Sequence, residues 1–259
     1  MPGHYAHYRF ASQQLARMDR ETQNTVSRFR QLYDVGAQGP DPFFYFNPFA
    51  KNKIYGLSHQ IHWEPGRTFF EQACGTYRIN PTEAGLAYLY GCLTHFCLDS
   101  VCHPYVHEVD GSGAGKHVAL ETEFNRYLMD LDGKVSPHTT DPSAWLTLTR
   151  GECETAASFY RDISRSEFAR CMGNMKLFSK LFTAPEGMPR DVVKKVTEMV
   201  GYGSFIMTKG PDHTHQQFNE PMMERYQQAV DQYPGMLLQL QQHLKHETPL
   251  GAEFDTIYG

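Results

Sequence analysis

Apolar residues along this chain recur at three-and-four spacing, and runs that alternate apolar with polar residues are few. That pattern predicts helices and almost no strand, so the fold class expected is all-α, a single multi-helix bundle. The sharpest helix start is Asn80-Pro81-Thr82-Glu83, where an Asn cap, a Pro at the first helical position and a Glu reaching back make a capping-box pattern. This helix should run to about His103, where Pro104 approaches. Further helices are expected near 8–18, 22–33, 54–62, 67–77, 117–131, 152–161, 165–182, 189–201 and 220–245.

Two stretches break the pattern. Gly36-Ala37-Gln38-Gly39-Pro40-Asp41-Pro42 carries two glycines and two prolines, and it predicts a shaped turn ahead of the aromatic run Phe43 to Phe46. Asp110-Gly111-Ser112-Gly113-Ala114-Gly115 reads as a flexible loop between two helices. No internal repeat, low-complexity tract or linker divides the chain, so one domain over residues 1–259 is expected.

Composition narrows the partners. With 259 residues, 41% of them hydrophobic, the chain is long enough to bury a sizeable core. Its 24 Lys and Arg against 29 Asp and Glu give a formal charge of -5, which offers a nucleic-acid polyanion no attraction. Bound divalent cations could reverse that locally. The amino terminus lacks an apolar core of signal-peptide length, and no stretch approaches the roughly 18 apolar residues of a membrane span, so a cytoplasmic location is expected. Cysteines 74, 92, 97, 102, 153 and 171 are irregularly spaced and predict reduced, buried thiols rather than a disulfide framework or a metal pair.

Candidate chemistry lies in the helix that begins at residue 80. His95, Asp99 and His103 follow one another at four-residue intervals, so a single helical face presents imidazole, carboxylate and imidazole. The flanking Leu89, Leu93, Phe96, Leu98 and Val101 predict a buried helix, in which a carboxylate must be paired or metal-bound. Beyond the glycine loop, His117 and Glu121 repeat the i, i+4 pairing. Zinc takes His nitrogen and carboxylate oxygen, and five such groups on two helices exceed one tetrahedral site. Either pair alone is commonplace in helices; the two in succession imply more than one metal.

The run HFCLDSVCHPYVHEVDGSGAGKHVALE resembles the core of the zinc-dependent phospholipase C family, with its His-x3-Asp, a His shortly after, then His-x3-Glu. GAQGPDPFFY resembles that family's turn bearing an aspartate ligand, and YAHYRF and GLSHQIHW fall where the family places further histidines. These matches cover residues 7 to 121 in order. The resemblance implies that Asp99 bridges two metals, one also held by His7 and the other by Asp41, His62 and His95. A third would be held by His103, His117 and Glu121. His62 is preferred over His59, His7 over His4, and His103 over His107. Two features depart from the family's secreted enzymes: their amino-terminal Trp ligand has no counterpart in Met1-Pro2-Gly3, and the step from Asp99 to His103 is shorter.

The resemblance implies a cofactor of two or three zinc ions and hydrolysis of a phospholipid or a smaller phosphodiester. Water activated by the metals would be the nucleophile, with Asp41 and Asp99 as the catalytic carboxylates, Asp41 orienting or deprotonating that water. Two other readings compete: a single-strand nuclease, whose zinc cluster is similar, and a non-catalytic helical metal protein. Phe43 to Phe46 would either line a substrate pocket or pack the core. Asp212-His213-Thr214-His215 is a secondary candidate loop, whereas Glu123, Asp130, His243 and His246 are expected at the solvated surface.

Overall fold

The computed structural model describes residues 3–48, 50, 52–111, 114–183, 188–199 and 201–259. Among these the fold is all-α. Its helices are α1 (His4–Leu15), α2 (Arg20–Arg28), α3 (Arg30–Gly36), α4 (Lys53–Trp63), α5 (Gly66–Ile79), α6 (Glu83–Asp110), α7 (Ala114–Leu131), α8 (Arg150–Ala157), α9 (Arg165–Phe182), α10 (Met188–Met199) and α11 (Asn219–His246). Short 3-10 turns lie between them, and β pairing among the described residues is confined to one bridge, Pro65 to Ile257. No described helix is long and apolar enough to cross a membrane.

Helix α6 is the axis of the bundle, with α1, α2, α3, α5, α7, α8 and α11 packed around it. One hydrophobic cluster runs from Tyr5 to Tyr258, and all six cysteines are buried as free thiols. α3 and α6 approach closely: a Cβ on Gly91 would lie 2.2 Å from the Tyr33 carbonyl oxygen, and one on Gly36 would lie 2.4 Å from that of Tyr88. Only paired glycines allow two backbones to touch in this way.

Several boundaries differ from the expected ones, α1 (4–15 against 8–18) and α8 (150–157 against 152–161) among them, and those of α6, α2 and α3 bear on the centre. The cap of α6 is Thr82, whose hydroxyl accepts from the Gly85 amide at 3.0 Å, because Asn80 is taken up as the exposed end of α5. α6 then runs through Pro104 to Asp110 and stops at left-handed Gly111. Pro104 sits on the exposed face, where water can serve the carbonyl its missing amide leaves behind. The helix expected over 22–33 is two, because Phe29 (φ -122°, ψ 39°) breaks it and turns α3 toward α6. The expected glycine loop shrinks accordingly, and Ser112 and Gly113 lie outside the described residues.

Candidate metal centre

The eight side chains of the candidate centre arrive on five elements. Helix α6 contributes His95, Asp99 and His103 on one strip, all no more than 1% exposed. His7 comes from α1, whose Ala6 amide donates to Asn125 Oδ1 on α7 at 2.9 Å. Asp41 opens the 3-10 turn Asp41–Tyr45. The turn before it passes Gly39 at φ +51°, where a Cβ would strike the His95 ring at 2.2 Å, so glycine is required both by the backbone and by the imidazole. His62 is in the last turn of α4, and Ser58 on the same helix donates its hydroxyl to the Pro40 carbonyl at 2.9 Å. α7 carries His117 and Glu121.

These eight residues converge as three adjoining groups. Donor atoms of His7, His95 and Asp99 lie within 4.8 Å of one another, as do those of Asp41, His62 and His95, and those of His103, His117 and Glu121. Asp99 spans the first two: Oδ1 is 3.3 Å from His7 Nε2, and Oδ2 is 3.0 Å from His95 Nε2 and 4.0 Å from His62 Nε2. Asp41 Oδ1 lies 3.1 Å from His62 Nε2 and 3.8 Å from His95 Nε2. In the third group Glu121 Oε1 is 2.9 Å from His117 Nε2 and 3.6 Å from His103 Nε2. Two donors at about 2.1 Å from one tetrahedral ion sit roughly 3.4 Å apart, so these spacings suit a shared cation.

The proton positions point the same way. His62 Nδ1 lies 2.7 Å from the Ser58 carbonyl, His95 Nδ1 3.3 Å from that of Ala37, and His103 Nδ1 2.9 Å from that of Tyr258. His117 Nδ1 lies 2.9 Å from Asp110 Oδ2. Carbonyls and carboxylates only accept, so each of these Nδ1 atoms carries the proton and each Nε2 lone pair turns toward a carboxylate. Acceptor then faces acceptor, an arrangement that calls for a cation between them. His7 Nδ1 and Nε2, His95 Nε2, Asp41 Oδ2 and both Asp99 oxygens are buried with no hydrogen-bond partner. Orphans of this kind are costly in a folded interior unless something binds them.

Charge states suit metal ligation as well. Burial pushes the Asp99 carboxyl up, but His95, His103 and His7 outweigh burial and hold it well below the usual carboxylate range. Asp41 is lowered against burial in the same way, by His95 and His62, and Glu121 is lowered despite its burial. Burial, reinforced by His95, lowers His7 to about 4, and burial lowers His103. For His95 and His117 burial is overcome by Asp99 and by Glu121, and both move up. Three buried carboxylates thus remain anionic and His7 and His103 are held toward the neutral form, protonation states that divalent metals require of their ligands.

Of the competing histidines, His59 and His4 belong to none of these groups, whereas His107 joins Asp110 and His117 in a further, partly exposed group whose donor atoms lie within 4.8 Å of one another. His59 is exposed and stacks on Trp63 at 6.0 Å, and His4 bonds Gln38 Oε1 at 3.2 Å. His107 is on the exposed face of α6, with Nδ1 3.7 Å from Asp110 Oδ2. The aromatic run divides: Phe43 is core, edge-on to Tyr160 at 4.7 Å, whereas Phe44 and Tyr45 line a cavity of about 280 Å³ with Tyr55, Tyr202, Phe205, His117 and Glu121. Phe44 also lies 5.3 Å from His62, so this aromatic cavity borders both ends of the centre.

Two expectations of surface position fail. Glu123 is 2% exposed, paired with Arg126 at 2.6 Å, and accepts from Asn219 Nδ2 at 3.0 Å and from the Asp212 amide at 3.1 Å. That bond makes the Asp212–His215 loop an anchor on α7, in which Asp212 Oδ2 accepts from His215 Nδ1 at 2.7 Å. His243 is also buried, bonded by Arg78 at 3.0 Å. Sequence reasoning passed over Asp110, which it had assigned to the loop, and the carbonyls of Ala37, Ser58 and Tyr258, which have no side-chain signature.

Compared with known proteins, the chain matches the family model described as zinc dependent phospholipase C over residues 6–174, a span holding every residue of the three groups. No curated protein and no solved structure matches the chain. With most of its length matched and buried His and carboxylate groups arranged as ligands, the chain belongs to the zinc-dependent phospholipase C family.

Proposed function

We propose that this chain, acting as one domain over residues 1–259, hydrolyses a phosphate diester, either a phospholipid or a smaller phosphodiester, with two or three zinc ions. The carrying observation is the set of buried Nε2 and carboxylate oxygens that face one another without hydrogen bonds. Asp99 would bridge the ion held with His7 and the one held with Asp41, His62 and His95, while His103, His117 and Glu121 would hold a third. Zinc at such positions binds phosphoryl oxygens, lowers the pKa of a water toward neutrality and stabilises a departing alkoxide.

The chain's own groups supply the rest. Asp41, kept ionised by His95 and His62, has an unpartnered Oδ2 that can accept the proton of the attacking water. Phe44, Tyr45, Tyr55, Tyr202 and Phe205 give the substrate an apolar wall and exclude water beside His117 and Glu121. Among the described residues lining this cavity there is no lysine or arginine to follow a polynucleotide backbone, which favours a lipid-like ester over single-stranded nucleic acid.

The deciding experiment is metal analysis of purified protein with turnover of a chromogenic phosphocholine ester, before and after chelation, beside a single-stranded oligonucleotide. Two or three zinc ions per chain and chelator-sensitive ester cleavage are expected. Preferential cleavage of the oligonucleotide, or bound zinc with no turnover of either substrate, would overturn the proposal.

A further inference from the structure

The segment Leu250–Gly259 lies well beyond the matched residues 6–174, yet it is built into the metal centre. Leu250, Phe254 and Tyr258 are buried. The Phe254 ring packs on Phe70 at 5.4 Å and Phe96 at 5.8 Å. The Tyr258 ring lies 4.7 Å from Phe96, 5.7 Å from His62 and 5.9 Å from His95.

Arg67 on α5 fastens the segment from outside. Its Nε donates to Asp255 Oδ1 at 2.6 Å, and its two terminal nitrogens donate to the Leu250 and Gly251 carbonyls at 3.0 Å each. The Gly66 amide donates to the Thr256 carbonyl at 2.9 Å. Thus fastened, the segment delivers three main-chain bonds to candidate ligands. The amides of Tyr258 and Gly259 both donate to the His62 carbonyl at 3.2 Å, and the Tyr258 carbonyl accepts from His103 Nδ1 at 2.9 Å. A Cβ on Gly259, where φ is +130°, would lie 2.2 Å from His103 Cβ.

We propose that Leu250–Gly259 is a strap that positions two zinc ligands, with the Tyr258 carbonyl fixing the tautomer and ring orientation of His103. Its amides secure the end of α4 at His62. Without the Tyr258 acceptor, the His103 proton is free to move to Nε2, and the lone pair then no longer faces Glu121. Partners behind a ligating imidazole commonly account for about 10- to 100-fold in metal affinity. The inference rests on the zinc-centre reading above.

The test uses full-length Arg67→Met, which unfastens the strap, and Gly259→Ala, which pushes it off His103. Neither residue is a candidate ligand. Zinc affinity is measured by competition with a chromophoric chelator, and ligand geometry by the visible spectrum of the cobalt-substituted protein. Both variants should bind at least one ion roughly 10- to 100-fold more weakly and show altered cobalt bands. A merely structural strap would lower the melting temperature of the metal-free protein and leave affinity and spectrum unchanged, which would overturn the proposal. If Arg67→Met does not fold, Gly259→Ala decides alone. Wild-type protein that takes up no zinc would remove the zinc-centre reading and this inference with it, an outcome distinct from normal loading of the variants.

Discussion

Asp110 Oδ2 stands 2.9 Å behind His117 Nδ1, on the side of the ring away from Glu121. A carboxylate in that place fixes the imidazole tautomer and raises the basicity of Nε2. Asp110→Ala should therefore weaken binding of one zinc ion by about 10- to 100-fold, and Asp110→Asn by less, because its amide oxygen can still accept. Chelator competition on the two variants measures this; equal affinity in Asp110→Ala and wild type would exclude an orienting role.

Asp99→Asn should abolish both full metal loading and activity. The substitution keeps the shape of a side chain set between His7 and His95 and removes its negative charge, on which a bridging position depends. Metal content by mass spectrometry is the readout, and full zinc content in the folded variant would refute bridging.

Phe44→Ala should act on substrate and not on metal. The ring borders both the aromatic cavity and His62 without donating a ligand atom, and an aromatic contact is worth about 1 kcal/mol, so KM should rise roughly five-fold. Zinc content should stay at the wild-type level. A fall in kcat with KM unchanged would place Phe44 outside the binding site.

Asp19→Ala tests stability far from the centre. Asp19 caps α2, accepting from the Glu21 and Thr22 amides at 2.9 and 3.0 Å. The Thr22 hydroxyl and these amides lower its pKa, so its contribution is complete above the unfolded-state value of about 3.9 and is lost as pH falls through the lower folded value. Loss of the cap should cost about 1 kcal/mol at pH 7, and the gap should narrow in acid. Urea unfolding at pH 7 and near pH 3 checks both the size and the sign.

The sequence displayed the parts of this molecule that rest on periodicity. His95, Asp99, His103, His117 and Glu121 could be read because helical spacing alone puts them on shared faces. The α9 start was legible for a similar reason, since Ser164 and Glu167 form a capping box. The break at Phe29 has no Gly or Pro to announce it and follows from the packing of α3 on α6. Glu123 looked solvated because two of its partners, Asn219 and the Asp212 amide, come from about 90 residues away in sequence. The Tyr258 carbonyl was invisible for the same reason: a main-chain atom meets His103 at a separation of 155 residues.

The contact of Gly36 with α6 and of Gly91 with α3 ties the Ala37–Asp41 turn to the helix bearing His95 through the main chain itself. The spacing between the turn bearing the acid and the helix bearing the imidazole is therefore held by main-chain contact, with the Ser58 hydroxyl on the Pro40 carbonyl as a side-chain tie beside it. Ions entering the centre would meet a socket that exists before its occupants, and loading should leave the backbone amide resonances of α3 and α6 beyond the ligands nearly where they were.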